Sequence, residues 1–121
     1  MPRKTKEEAE ETRRRILDSA LDLFSEKGYG RTTLNDIAER AGFTRGAVYW
    51  HFKDKVELFR AMSDELEKTP VVAELFERTV NDIQDLRHLL VGYLGLIIND
   101  QRYRKYYEVV NFKTEWTEEL E

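Results

Sequence analysis

Residues 44–55 read TRGAVYWHFKDK and place Arg45, Tyr49, Trp50, His51, Lys53 and Lys55 within a dozen positions. These residue types at these spacings do not make a catalytic or metal centre. The sequence has no cysteine, and its two histidines, His51 and His88, are not a metal-spaced pair. It also lacks a nucleophile motif and a glycine-rich phosphate loop, so neither an enzyme nor a bound cofactor or metal is expected. What these residues suit is recognition. An arginine can donate two bonds to one guanine edge, while lysine, a tyrosine hydroxyl or an indole N–H can donate to phosphate oxygens.

Periodicity decides whether such groups can act together. In a helix over residues 45–52, successive side chains step by about 100°. Val48 and Phe52 then share one side, with Ala47 and His51 at its borders. Arg45, Gly46, Tyr49, Trp50 and Lys53 share the other. A helix that only packs gains nothing by exposing two large aromatic rings beside two cations, whereas a helix entering a groove does. Gly46 and Ala47 are small enough for the first turn to approach base edges, and the free N–H groups there favour phosphate. Arg45 sits in that first turn, where a cation opposes the helix dipole, which points to a ligand that compensates.

The elements that must position these residues are punctuated clearly. Thr5 and Glu8 have the spacing of a capping box, predicting a helix from there to about Lys27. Its apolar stripe is Ile16, Leu17, Ala20, Leu21 and Phe24, and Gly28 follows as a stop. Thr33 begins a second helix with Asp36 in its first turn, with Leu34, Ile37, Ala38 and Ala41 facing inward and Gly42 ending it. Thr44 caps the third helix. Asp54 starts a fourth, with Val56, Phe59, Met62 and Leu66 on one side. Two short helices joined by a tight glycine-containing turn make a helix-turn-helix pattern.

Beyond Thr69-Pro70, where a break or kink is expected, a helical piece runs to about Thr79. DLRHLLVGYLGLIIND reads as a buried helix whose Gly92 and Gly95 allow a close neighbour, and QRYRKYYEVVNFKTEW as an aromatic-rich one. No segment alternates with period two, so the fold class is all-α. The 121 residues, 40% apolar and 36% charged, suit helices with solvated outer faces. The net charge of −4 hides an uneven distribution: Lys and Arg outnumber Asp and Glu 13 to 11 over residues 1–60, but are outnumbered 13 to 7 over residues 61–121. No apolar run reaches membrane-spanning length and residues 1–15 carry no secretory signal, so the expected location is cytoplasmic, without a membrane partner.

The stretches TTLNDIAERAGF and TRGAVYWHFKDKVELF, following RKTKEEAEETRRRILDSALDLFSEKGY, resemble the DNA-binding domain of TetR-type bacterial transcriptional repressors. The similarity is strongest to the AcrR-like branch, whose members commonly control multidrug efflux pumps. It is close over residues 3 to about 60 and looser through LIINDQRYRKYYEVVNFKTEW. The resemblance implies a three-helix DNA-binding domain over residues 1–54 and a partial helical effector and dimerisation domain over residues 55–121, with the helix from about residue 55 as connector. It implies a double-stranded DNA operator as partner. Thr33 would meet backbone and Asn35 a base, Thr44 would cap the recognition helix, and Arg45, Ala47 and Tyr49 would lie at or near bases. Trp50, His51 and Lys55 would meet phosphate, with Lys53 as a further phosphate contact. His51 has an alternative as a packing histidine and Lys55 as a solvated first-turn lysine. Arg3, Lys4 and Lys6 would form either a DNA-contacting arm or a solubilising tail.

Family members are longer, and their last two helices form the dimer interface. The resemblance therefore implies that this chain stops before those helices and before much of the effector pocket wall. Residues 83–112 are apolar enough to leave an exposed patch, which predicts a homo-oligomer through a non-standard interface, or pairing with a related regulator. Tyr93, Tyr103, Tyr106, Tyr107, Phe112 and Trp116 form either ordinary core and partner surface or part of an incomplete pocket for a small hydrophobic effector. Two functions stay open: a DNA-binding regulator, and an interaction protein that modulates a full-length relative.

Overall fold

A computed structural model describes residues 5–112, apart from the side chains of Val71, Leu75 and Phe76. The described residues form seven helices: α1 (Lys6–Lys27), α2 (Leu34–Ala41), α3 (Arg45–His51), α4 (Lys55–Glu67), α5 (Pro70–Glu77), α6 (Ile83–Asn99) and α7 (Gln101–Phe112). The all-α expectation holds. Arg3, Lys4 and Trp116 lie outside the described residues.

The helix starts follow the capping chemistry. Thr5 Oγ1 accepts the Glu8 N–H at 3.1 Å, and the Glu8 carboxylate accepts the Thr5 N–H at 3.2 Å. The same reciprocal pair joins Thr33 and Asp36 at the start of α2. Thr44 Oγ1 accepts the Ala47 N–H, and Asp54 Oδ1 accepts the Glu57 N–H. Each side chain satisfies a backbone donor that the first turn leaves without a helical partner. Gly42 ends α2 with φ 76°, a left-handed conformation that a residue with a Cβ rarely adopts. At Pro70 the break is complete: α4 stops at Glu67, and the proline takes the first position of α5, where its missing N–H does no harm.

The main core gathers α1 to α4. Ile16, Leu17, Ala20, Leu21, Phe24, Ile37, Ala38, Val48, Phe52, Leu58, Phe59, Met62 and Leu66 are buried in one cluster. The third and fourth helices thus close over α1 and α2 by one side each. Val109 from α7 is fully buried in the same cluster, with Tyr106 and Val110 packed against it. Two ion pairs flank this seam: Arg102 Nη2 lies 2.6 Å from Asp18 Oδ1, and Lys105 Nζ lies 2.7 Å from Asp22 Oδ1.

The second core is thin. It comprises Val72, Leu96 and Tyr103, with Tyr93, Ile97 and Tyr106 against it. The expectation of a buried α6 therefore does not hold: Leu96 is its one buried residue among those described. Ile83, Leu90, Val91, Leu94 and Ile98 are between 50% and 73% exposed. The reason is geometric. The helix is apolar around most of its circumference, but its main packing among the described residues is against α5 and α7, which leaves these aliphatic side chains exposed. The exposed apolar patch expected for residues 83–112 is present. The tyrosines pack on one another instead: Tyr93 is 6.4 Å from both Tyr103 and Tyr107, ring centre to ring centre. Phe112 is exposed. Burial against these neighbours pushes the Tyr103 hydroxyl up to about 12.

Candidate nucleic-acid interface

The site is built outward from two buried side chains. Val48 and Phe52 have essentially no exposure and fix α3 on the core. Phe52 also closes α3, its N–H donating to the Val48 carbonyl. With that side anchored, the helical step turns Arg45, Gly46, Tyr49 and Trp50 to solvent, and Lys53, beyond the extended cap Phe52, is exposed as well. Trp50 is 76% exposed, an unusual state for an indole in a well-packed domain. Ala47 and His51 are half-buried at the borders, as the wheel places them.

The exposed groups are ordered relative to each other. Arg45 Nη2 donates to the Tyr49 hydroxyl at 3.3 Å, and its guanidinium lies 5.3 Å from the centre of the Tyr49 ring. This i, i+4 pair holds a long cation along the helix surface instead of leaving it to sample all rotamers. The Trp50 and His51 rings meet edge to face at 4.7 Å. A Cβ added to Gly46 would meet Thr44 Oγ1 at 3.9 Å, an ordinary van der Waals contact, so none of the described residues requires a glycine there. Thr33 and Asn35 are exposed at the start of α2, and Thr44 at the start of α3.

Lys55 is placed differently. Its ammonium donates to the Tyr29 carbonyl at 2.8 Å and lies 4.2 Å from the centre of the Tyr29 ring. Burial pulls its pKa below the usual lysine value. Asp36 is shifted down as well, chiefly by the Thr33 N–H and then by Lys27.

Several contributors are not visible as local motifs. The Arg13 guanidinium sits 5.2 Å from the centre of the Phe52 ring and pairs with Glu65 on α4 at 3.4 Å. Arg15 donates to the Ala41 carbonyl at 3.4 Å and covers the Phe43 ring at 5.0 Å. Both brace the turn and end of the two short helices from α1. Their partners lie 26 to 52 residues away, so no spacing rule could pair them. Tyr29, buried between Phe24 and Phe59, is the other such residue.

A short helix fixed by its inner side, with cations and polar-tipped rings outward, preceded by a capped helix and a glycine turn, defines an all-α helix-turn-helix protein. Comparison with known proteins gives its relatives. Residues 16–62 match the sequence pattern described as "Bacterial regulatory proteins, tetR family". The chain is 42% identical over 123 aligned residues to the HTH-type transcriptional regulator TtgR of Pseudomonas putida, with 99% of this chain and 59% of that protein covered. It is likewise 42% identical to the HTH-type transcriptional regulator AcrR of Shigella flexneri, covering 57% of it. Among solved structures, NalD, the secondary repressor of the MexAB-OprM multidrug efflux pump in Pseudomonas aeruginosa, superposes with a TM-score of 0.79 at 36% identity. That match takes in 95% of this chain and 58% of NalD. Over residues 16–62 this chain carries the sequence pattern of the tetR family of bacterial regulatory proteins; it is similar to these regulators along nearly its whole length and spans somewhat more than half of theirs.

Proposed function

We propose that the protein is a sequence-specific DNA-binding transcriptional repressor that acts on a multidrug efflux operon. The observation that carries this reading is α3: Val48 and Phe52 are buried while Arg45, Gly46, Tyr49, Trp50 and Lys53 face outward. In this reading Arg45 and Asn35 contact base edges, with Ala47 and Tyr49 beside them. Thr33, Trp50, His51 and Lys53 hold phosphates, and Thr44 fixes the start of the helix. Residues 1–54 act as the DNA-binding unit. Residues 55–121 act as part of the effector and association unit, entered through α4. The efflux assignment rests on what NalD represses.

A mobility-shift titration on the DNA upstream of the gene, repeated at several salt concentrations, tests the reading. Binding should be salt-sensitive and selective for one sequence. Equal affinity for that sequence and for random DNA would refute it. A second reading, pairing with a related regulator or with another copy of the chain, is favoured by the exposed Ile83, Leu90, Val91, Leu94 and Ile98 of α6. Binding that requires an added relative would favour it over direct operator recognition. A cleft of about 580 Å³ at the α6–α7 junction, lined in part by Gly92, Gly95, Leu96 and Arg102, is the place to look for a small effector.

A further inference from the structure

A helical side chain leaves the backbone tilted toward the helix N-terminus, so a residue leans over the turn before its own. Tyr49, one turn after Arg45, therefore lies back along α3 toward it. The Tyr49 ring is 42% exposed, against 76% for its neighbour Trp50. It meets Arg45 twice: its hydroxyl accepts from Arg45 Nη2 at 3.3 Å, and its ring centre lies 5.3 Å from the guanidinium carbon. The fully buried Val48 fixes the backbone that carries both. The kind of partner matters. Arg13 and Arg40 are paired with carboxylates, those of Glu65 and Glu26. Arg45 has no carboxylate partner among the described residues. A tyrosine orders a guanidinium without neutralising it. The bond occupies one N–H, and the rest of the fork stays open for a bidentate pair with a base edge. The hydroxyl accepts here, so its own proton stays free to donate to a phosphate.

Building on the DNA-binding reading above, we propose that Tyr49 is a positioning residue: it holds the Arg45 guanidinium along α3 and so sets which base edge Arg45 reads and how strictly. An unsteered arginine is drawn to any phosphate or electronegative base edge within reach, and adds affinity without preference. A steered one has given up that freedom before binding, and its planar fork meets a guanine in one geometry. Loss of Tyr49 should therefore remove discrimination at the base pair that Arg45 reads, with the arginine still present.

The full chain is titrated with duplex DNA from upstream of its gene and with duplexes that each carry one changed base pair. Arg45→Ala should flatten the preference at one base pair by about tenfold. Tyr49→Leu should flatten it at that same base pair by about fivefold, and Tyr49→Phe, which keeps the ring and loses the hydroxyl, by about threefold. Added to Arg45→Ala, neither should flatten it further, so the factors do not multiply. In the free protein, the ring should displace the Arg45 Nε–H resonance upfield in the parent and in Tyr49→Phe. Tyr49→Leu should return it to the position of an unstacked arginine. Tyr49 variants that weaken every duplex by the same factor, or factors that multiply in the double variants, overturn the proposal and make Tyr49 an independent contact. A resonance that Tyr49→Leu leaves in place overturns the pairing itself. A parent chain that binds no duplex, or binds all of them equally, instead refutes the regulatory reading, and the proposal falls with it whatever the resonance shows.

Discussion

Helices α3 and α6 both leave large side chains in water, and they do so in opposite ways. The exposed rings of α3, Tyr49 and Trp50, have polar tips and stand beside Arg45 and Lys53. The exposed residues of α6 are aliphatic: Ile83, Leu86, Leu90, Val91, Leu94 and Ile98. An amphipathic ring beside a cation can satisfy a phosphate or a base edge. An aliphatic row can satisfy only another apolar surface. The anchoring differs too. Seven-residue α3, with its cap Phe52, is fixed by two fully buried side chains in a large core, whereas seventeen-residue α6 is held by one buried leucine in a small one. A short helix can therefore be the more rigidly placed of the two, which is what a recognition surface needs.

The contrast in anchoring predicts the largest effect. Phe52→Ala should destabilise the protein by about 3–5 kcal/mol in chemical denaturation, since it empties a filled site. Leu96→Ala, in the thin second core, should fall at or below the low end of the roughly 2–5 kcal/mol range. Equal costs would break the comparison. Arg45→Ala should leave stability nearly unchanged and weaken operator binding by about 1–3 kcal/mol at one base position, relaxing preference there. A loss equal on specific and random DNA would demote Arg45 to a charge contact.

A smaller effect concerns the start of α2. Thr33→Ala should cost about 1 kcal/mol by removing half of its capping box. The Asp36 carboxylate is held below the usual aspartate range by the Thr33 N–H and by Lys27, so it binds a proton less readily folded than unfolded. Its contribution is fully present above the unfolded pKa and is lost as pH falls through the lower, folded one. An acid denaturation series should show Asp36→Asn losing part of that slope.

The smallest change in stability, with the clearest change in association, is expected on α6. Leu94→Glu, at a position 56% exposed, should shift stability by no more than about 0.5 kcal/mol. It should lower self-association in sedimentation at high concentration. A parent chain that sediments as a monodisperse monomer would remove the reason to treat this face as a partner surface.

How far each region was legible follows from the range of the interactions. Caps act over three residues and helical faces repeat within eight. So Thr5, Thr33, Thr44 and Asp54 marked real helix starts, and the division of TRGAVYWHFKDK into an inner Val48–Phe52 side and an outer side needed no tertiary information. The same local logic misjudged α6, because an apolar sequence states that a helix wants cover, not whether a neighbour supplies it. Arg13, Arg15 and Tyr29 were silent for a related reason: each gains its role from a ring or carbonyl that is distant in sequence.

The sequence by itself determined where the helices begin, that two of them flank a glycine turn, and which side of the third must turn outward. These depend on backbone donors, left-handed φ and a 3.6-residue repeat, all properties of a few adjacent residues. Only the tertiary structure decided that Arg45 rests on Tyr49, that Lys55 answers a carbonyl of the α1–α2 turn, and that α6 lies bare on one side among the described residues. Those outcomes depend on which surfaces the packed helices bring within a few ångströms of each other, and no local pattern encodes that distance.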